Sequence, residues 1–248
     1  MEYVRDPDIG ELHHWQQAAK GLIKLLTLAP EREGAIPFIR AAVGMGISVA
    51  IGHSLATEEE ISLAIEAGAS LSTHLGNGSP AMLPRLKNHI WAQLAREGLF
   101  ASLIADGFHV PESTMKVFAK AKGPDKLILI SDAGPMGGLE PGRYKWGSSD
   151  VDVFADGHLG LAGTQYLAGA GHLLNRAIPV FRQASGCTLR QAVAMVTDNP
   201  AKLLKLDGNT ADFNAGEPSD IVCFCEEHEQ LSVLSYALGA REESVRQR

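Results

Sequence analysis

A chain of 248 residues, 45% of them hydrophobic, is long enough to bury one large α/β core or two smaller ones. Its net charge of −7, with basic residues scattered rather than clustered, argues against nucleic acid as an unaided partner. No apolar run reaches the roughly 18–20 residues needed to cross a bilayer, which argues against a membrane partner. The cysteines Cys187, Cys223 and Cys225 are odd in number, and the last two alternate around Phe224 in a strand-like run. They are expected to pack on a sheet rather than bind metal. With no secretory leader visible, the expectation is a reducing cytoplasm.

In chain order, Asp8 is placed to cap a helix through about Ala19. Leu22 to Leu28 reads as a buried strand and Ile36 to Val43 as a helix. The run Ile47 to Gly52 reads as a strand ending at His53. Thr57 with Glu60 three residues on is a capping box for the next helix. A strand ending at His74 opens into the Gly/Asn/Ser/Pro-rich loop 76–84. A helix over His89–Arg96, a strand over Phe100–Ala105, a helix over about Glu112–Ala121 and a strand ending at Asp132 follow. Five strands separated by four helices predict a parallel sheet. Near 140–163 the glycine content rises and short alternating runs predict a small β excursion. Helices are predicted over Tyr166–Ala184, Leu189–Val196 and Pro200–Leu206, then a strand over Asp220–Cys225 and a frayed tail from Arg241. The expected division is a barrel-type domain over residues 1–206 and a C-terminal sandwich strand and tail over 207–248.

The chemistry concentrates at strand ends, where side chains enter the mouth of an α/β fold. His53 and His74 stand at two successive ends. Two imidazoles so placed suit a divalent metal, although either ring would serve equally to hold loop backbone. Asp132 ends a third strand. It reads as a general base or as an ordinary turn residue before Gly134 and Pro135. Asp106-Gly107-Phe108-His109 ends a fourth. His109 is placed to bond a substrate carbonyl or phosphate, while Asp106 is equally readable as a turn former. The loop residues Asn77 and Gly78 offer an amide and backbone N–H groups to an anion, and Arg85 a charged clamp. A plain surface loop is an equal reading. Glu31 also sits at a strand end and is a further candidate ligand.

Taken together, Leu26-Thr27-Leu28-Ala29-Pro30-Glu31, Gly52-His53-Ser54, Thr73-His74-Leu75-Gly76-Asn77, Ile104-Ala105-Asp106-Gly107-Phe108-His109 and Ser131-Asp132-Ala133 resemble the amidohydrolase superfamily, specifically its amino-sugar-phosphate deacetylases. Leu161-Ala162-Gly163-Thr164 and Asn199-Pro200-Ala201 extend the likeness. The resemblance implies a (β/α)8 TIM-type barrel, here partial with strands four to eight, and the remnant of a small β-sandwich. It implies hydrolysis of the N-acetyl group of an N-acetylglucosamine 6-phosphate-like substrate. His53 and His74 would hold a divalent metal, zinc or alternatively iron, manganese or cobalt. Asp132 would be the catalytic acid/base and His109 would hold the acetyl carbonyl. Asn77 and Gly78 would contact the phosphate, with Arg85 reaching across a homodimer.

The departures are equally specific. The family's glutamate metal ligand lies in a His-Leu-Glu-Gly-Pro-like run with no counterpart here, so the chain is expected to be a fragment or to start at an internal methionine. Glu31 matches a different family glutamate and is not promoted to ligand. Gly78-Ser79 replaces the commoner Ala-Met, which leaves the substrate open. A hydrolase of cyclic or amino-acid amides, and a non-catalytic sugar-phosphate-binding protein, are the alternatives.

Overall fold

The computed structural model describes residues 4–206, 220–227, 230–238 and 241–244. Asp8 caps the first helix, α1 (Ile9–Ala18), its Oδ1 accepting from the Glu11 N–H at 2.8 Å. The apolar runs then alternate with helices as expected: β1 (Leu25–Leu28), α2 (Ala35–Gly44), β2 (Ser48–Ile51), α3 (Glu58–Glu66), β3 (Ala69–Ser72), α4 (His89–Leu94), β4 (Phe100–Ile104), α5 (Glu112–Lys122) and β5 (Leu127–Ile130). Thr57 and Glu60 make the reciprocal capping box that opens α3. The five strands form one sheet in the order β1-β2-β3-β4-β5, and β1/β2, β2/β3 and β3/β4 pair in parallel. Parallel neighbours require crossovers, which the helices supply.

By contact, the chain divides into two units. One comprises the chain up to Leu103 with Phe118–Ile128 and Lys202–Lys205; the other comprises Ile104–Val117, Leu129–Ala201 and the residues from Leu206 on. In the first unit, β2 is buried along its whole length, as expected of a strand covered on both faces. Leu12, Phe38, Ile39, Val49, Ile51 and Ile61 form the core of this unit. Each fully buried side chain of this size contributes about 1.5–3 kcal/mol. Lys122, also buried, donates to the carbonyls of Gln93, Arg96 and Leu99 at 2.6–2.9 Å, tying the C-terminal turn of α4 to α5.

In the second unit the glycine-rich stretch folds as β6 (Gly142–Trp146), β7 (Ser149–Val153) and β8 (Leu159–Leu161), an antiparallel sheet of order β6-β7-β8. Val151, Val153 and Leu159 form its core. The helices α6 (Leu174–Ser185), α7 (Leu189–Ala194) and α8 (Asp198–Leu204) follow, with Lys202–Leu204, the last three residues of α8, belonging to the first unit. Then β9 (Ile221–Glu227), β10 (Gln230–Leu238) and β11 (Arg241–Ser244) form a sheet of order β11-β10-β9.

Several expectations are corrected. The strand at Leu22 starts only at Leu25, because α1 ends in a turn through Lys20 and Gly21, both at positive φ, and Leu22 bonds back to Ala19; nor is it buried, its residues alternating between exposed and half-buried. Tyr166–Leu173 is not helical. Gly169 adopts φ 81°, and the segment instead bonds to its neighbours: Tyr166 O accepts from Leu161 N, and Ala170 N donates to Asp132 O. The last helix begins at Asp198, which places Pro200 in its first turn, and ends at Leu204. Arg241–Ser244 is a strand paired with β10 rather than a frayed tail. The expected division at 206/207 falls where residues 207–219 lie outside the described residues.

Candidate functional site

The strand ends repeat one geometry. β2 ends at Ile51, and His53 stands two places on; β3 ends at Ser72, and His74 stands two places on; β5 ends at Ile130, and Asp132 stands two places on. All three adopt left-handed backbone, with φ of 50°, 28° and 48°. Among the described residues only Lys20 and Lys205 join them as non-glycines at positive φ. Such conformations cost about 1–3 kcal/mol each and persist where the surroundings impose them, typically at functional sites.

In the first unit, the rings of His53 and His74 meet edge to face, with centroids 4.7 Å apart and an interplanar angle of 87°. Their Nε2 atoms lie 3.0 Å apart. His74 is buried, and its backbone N–H donates to Ser102 Oγ on β4 at 2.8 Å. His53 is exposed, and Gly78 lies against its ring: a Cβ there would stand 2.6 Å from His53 Nδ1. Gly78 also has φ 63°, so this position calls for glycine twice over. Asn77 N donates to His74 O at 2.8 Å, folding the loop back over the strand end. A small pocket there is lined by His53, Asn77, Ser79 and His89. Arg85 is exposed on the loop leading to α4.

Two imidazole nitrogens on one zinc ion, each about 2.0–2.1 Å from it, lie roughly 3 Å apart, so the observed pair fits such an ion. Among the described residues, no three His, Cys, Asp or Glu side chains gather into a fuller metal cage.

Two pairings become visible only in the structure. Ser79 Oγ and His89 Nε2 bond at 2.8 Å, which anchors the loop to the first residue of α4. In the second unit, Asp106 stands two places past the end of β4, the offset shared by the other site residues. Its Oδ1 accepts from the N–H groups of Phe108 and His109 at 2.9 and 3.0 Å, and its Oδ2 pairs with His109 Nδ1 at 2.8 Å. The Asp-x-x-His spacing carried that signal. Asp106 is therefore both a turn former and the orienting partner of His109. Burial alone would raise its pKa, but the bonds from the His109 ring and backbone outweigh it and hold the carboxyl below its usual value. The Asp106 and His109 side chains are 5% and 4% exposed, so the bonds are lost without compensation from water if the carboxylate is removed. Asp106→Ala is expected to cost about 3 kcal/mol in urea unfolding. In the same unit, Asp132 is exposed and its carbonyl accepts from Ala170 N at 3.3 Å, while Gly134 N donates to Ala170 O at 2.8 Å. Leu167-Ala168-Gly169 thus leads into Ala170, whose backbone holds that of Asp132 and Gly134.

Two histidines give the fold a sign-definite pH dependence. Burial holds His89 below the usual histidine pKa, partly opposed by the charge of Glu31, and burial with the nearby Arg176 charge does the same for His172. Below the ordinary value of about 6.5 the unfolded chain takes up protons that the folded chain resists. The stability these groups allow is therefore present above that value and is lost as the pH falls towards their lowered folded values. Melting temperatures are expected to drop between pH 7.5 and 5.0, with a smaller drop in a His89→Gln, His172→Gln double variant.

No protein-family model matches the chain. It is 33% identical over 233 residues to N-acetylglucosamine-6-phosphate deacetylase of Bacillus subtilis, which covers 94% of this chain and 58% of that protein. It is 29% identical over 223 residues to N-acetylgalactosamine-6-phosphate deacetylase of Escherichia coli O157:H7, covering 89% and 58%. The crystal structure of N-acetyl-D-glucosamine-6-phosphate deacetylase from Mycobacterium smegmatis superposes with a TM-score of 0.85 at 30% identity, over 96% of this chain and 62% of that one. The chain thus spans rather more than half the length of the curated relatives it matches. With five strand-end motifs in order and this likeness over nearly its whole length, the chain is a homologue of the N-acetylglucosamine-6-phosphate deacetylases.

Proposed function

We propose that the chain carries the greater part of the active site of a metal-dependent deacetylase acting on an N-acetylated amino-sugar 6-phosphate. The observation that carries this reading is the 3.0 Å convergence of His53 and His74 Nε2 at matching offsets on adjacent parallel strands. Those two residues would hold the ion, zinc by ligand type, with iron, manganese or cobalt as alternatives. When bound, such an ion polarises an amide carbonyl and acidifies water.

The remaining roles belong to the chain's own groups. Asp132 accepts a proton from the attacking water as the new C–O bond forms, and returns it to the nitrogen as the C–N bond breaks. The products are acetate and the free amine. His109, its Nδ1 proton held by Asp106, positions the acetyl carbonyl. Asn77 and the backbone of Gly78 receive the phosphate. Arg85, exposed on its loop, is suited to reach a second copy in a homodimer. Exposed Leu86 and Trp91, which line an open and largely apolar hollow of ≈ 520 Å³, favour that association. The five-stranded order supports reading residues 1–206 as strands four to eight of a (β/α)8 barrel, with 207–248 as sandwich and tail. Free thiols at Cys187, Cys223 and Cys225 suit a cytoplasmic compartment.

The test is acetate release by the metal-supplemented chain from N-acetylglucosamine 6-phosphate, its galacto isomer and unphosphorylated N-acetylglucosamine. Turnover confined to the phosphorylated sugars supports the reading. Phosphorylated sugar bound without acetate release would favour the non-catalytic alternative.

A further inference from the structure

We propose that Glu31 is the residue that positions His53, an inference that rests on the metal-ligand reading of His53. The parallel register of β1 and β2 pairs Leu28 with Ile51. Three residues past each partner stand Glu31 and Ser54. The carboxylate of Glu31 reaches across: Oε2 accepts from Ser54 Oγ at 2.6 Å, and Oε1 accepts from Leu55 N at 2.7 Å. Ser54 Oγ in turn accepts from Ala56 N at 2.9 Å. Both oxygens of one planar group therefore hold the two residues that follow His53. Bonds to an ionised carboxylate are shorter and stronger than neutral ones.

This arrangement acts on a residue that packing does not immobilise. His53 is exposed; its ring meets His74 edge to face, and Gly78 beside it offers no side chain to hold it. The direction of its ring is set by its backbone, which sits at φ 50°. A left-handed histidine relaxes to ordinary backbone unless its neighbours are fixed. Glu31 fixes them, so His53 Nε2 is delivered to within 3.0 Å of His74 Nε2. With one oxygen turned to Ser54 and the other to Leu55, Glu31 serves as a positioning residue. Residues that orient metal ligands without touching the metal change metal affinity by about 10–100-fold.

The experiment uses the 248-residue chain with Glu31→Ala, Glu31→Gln and Ser54→Ala. Two quantities are read: the nuclear Overhauser effect between the His53 and His74 rings in metal-free protein, and the Kd for zinc. Glu31→Ala is expected to lose the inter-ring effect and bind zinc about 10–100-fold more weakly. Glu31→Gln keeps an acceptor for Leu55 N and a partner for the Ser54 hydroxyl, so it is expected to retain the effect and stay within a few-fold of the parent. Ser54→Ala, which removes one of the two bonds, should fall between them, and it decides the matter if Glu31→Ala does not fold. An intact inter-ring effect and parental zinc affinity in Glu31→Ala, or in Ser54→Ala when that variant decides, would overturn the proposal. If the parent binds no zinc, the metal reading has failed, and the inter-ring effect alone then tests the positioning role.

Discussion

Asp132→Asn is expected to leave metal content unchanged and to lower deacetylase turnover by about 10²–10⁴-fold, the usual contribution of a general acid–base group. The amide retains the shape of the carboxylate and still orients water, but it cannot accept the water's proton or return it to the departing nitrogen. The substitution keeps the left-handed backbone within reach as well, since asparagine tolerates φ near 48° better than most residues. The loss should therefore fall on kcat with a small effect on KM. Steady-state kinetics with the acetylated amino-sugar phosphate, alongside metal analysis of the same preparation, read both quantities. A rate within threefold of the parent would make Asp132 a turn residue.

His53→Ala and His74→Ala should each weaken zinc binding by more than about 100-fold, a larger effect than removal of an orienting group, because each deletes one of two converging nitrogens. The two losses should not add: with one ring gone the other is a poor chelator, so the double variant should bind little worse than either single one. Calorimetric titration with zinc gives the three affinities. Parental affinity in either single variant removes that histidine from the ligand set. Melts of the metal-free proteins separate loss of the site from loss of the fold. His74 is the more exacting test, being buried and tied to Ser102, whereas His53 is exposed.

Where local chemistry decides an element, the residues alone reveal it. Thr57 and Glu60 announce α3, Asp8 announces α1, and the short apolar runs before His53, His74 and Asp132 announce strands whose last residues lie two places short of each. That constant offset is also why the candidate site was legible: a strand fixes where its chain emerges, and polar residues just past three such ends stand out from apolar surroundings. Tyr166–Leu173 was not legible, because its apolar spacing suits a helix while its fate is set by bonds to Asp132 and Leu161, far away in the chain or on another strand. β10 and β11 hide for a similar reason: each owes its place to a neighbour, and Arg241–Ser244 carries no apolar pattern of its own. The site's supporting contacts share this property. Ser79 bonds His89 from loop to helix, and Glu31 bonds Ser54 from strand end to strand end. Neither pair is marked by spacing. Asp106 lay close enough to His109 to be suspected, and only its three accepted bonds show that one side chain fills both roles.

The most direct measurement is anomalous diffraction at the zinc absorption edge from crystals of the zinc-loaded chain. The dominant peak is expected about 2.0–2.1 Å from both His53 Nε2 and His74 Nε2. A dominant peak elsewhere, with the two rings still bonded to each other at 3.0 Å, would contradict the metal-ligand reading.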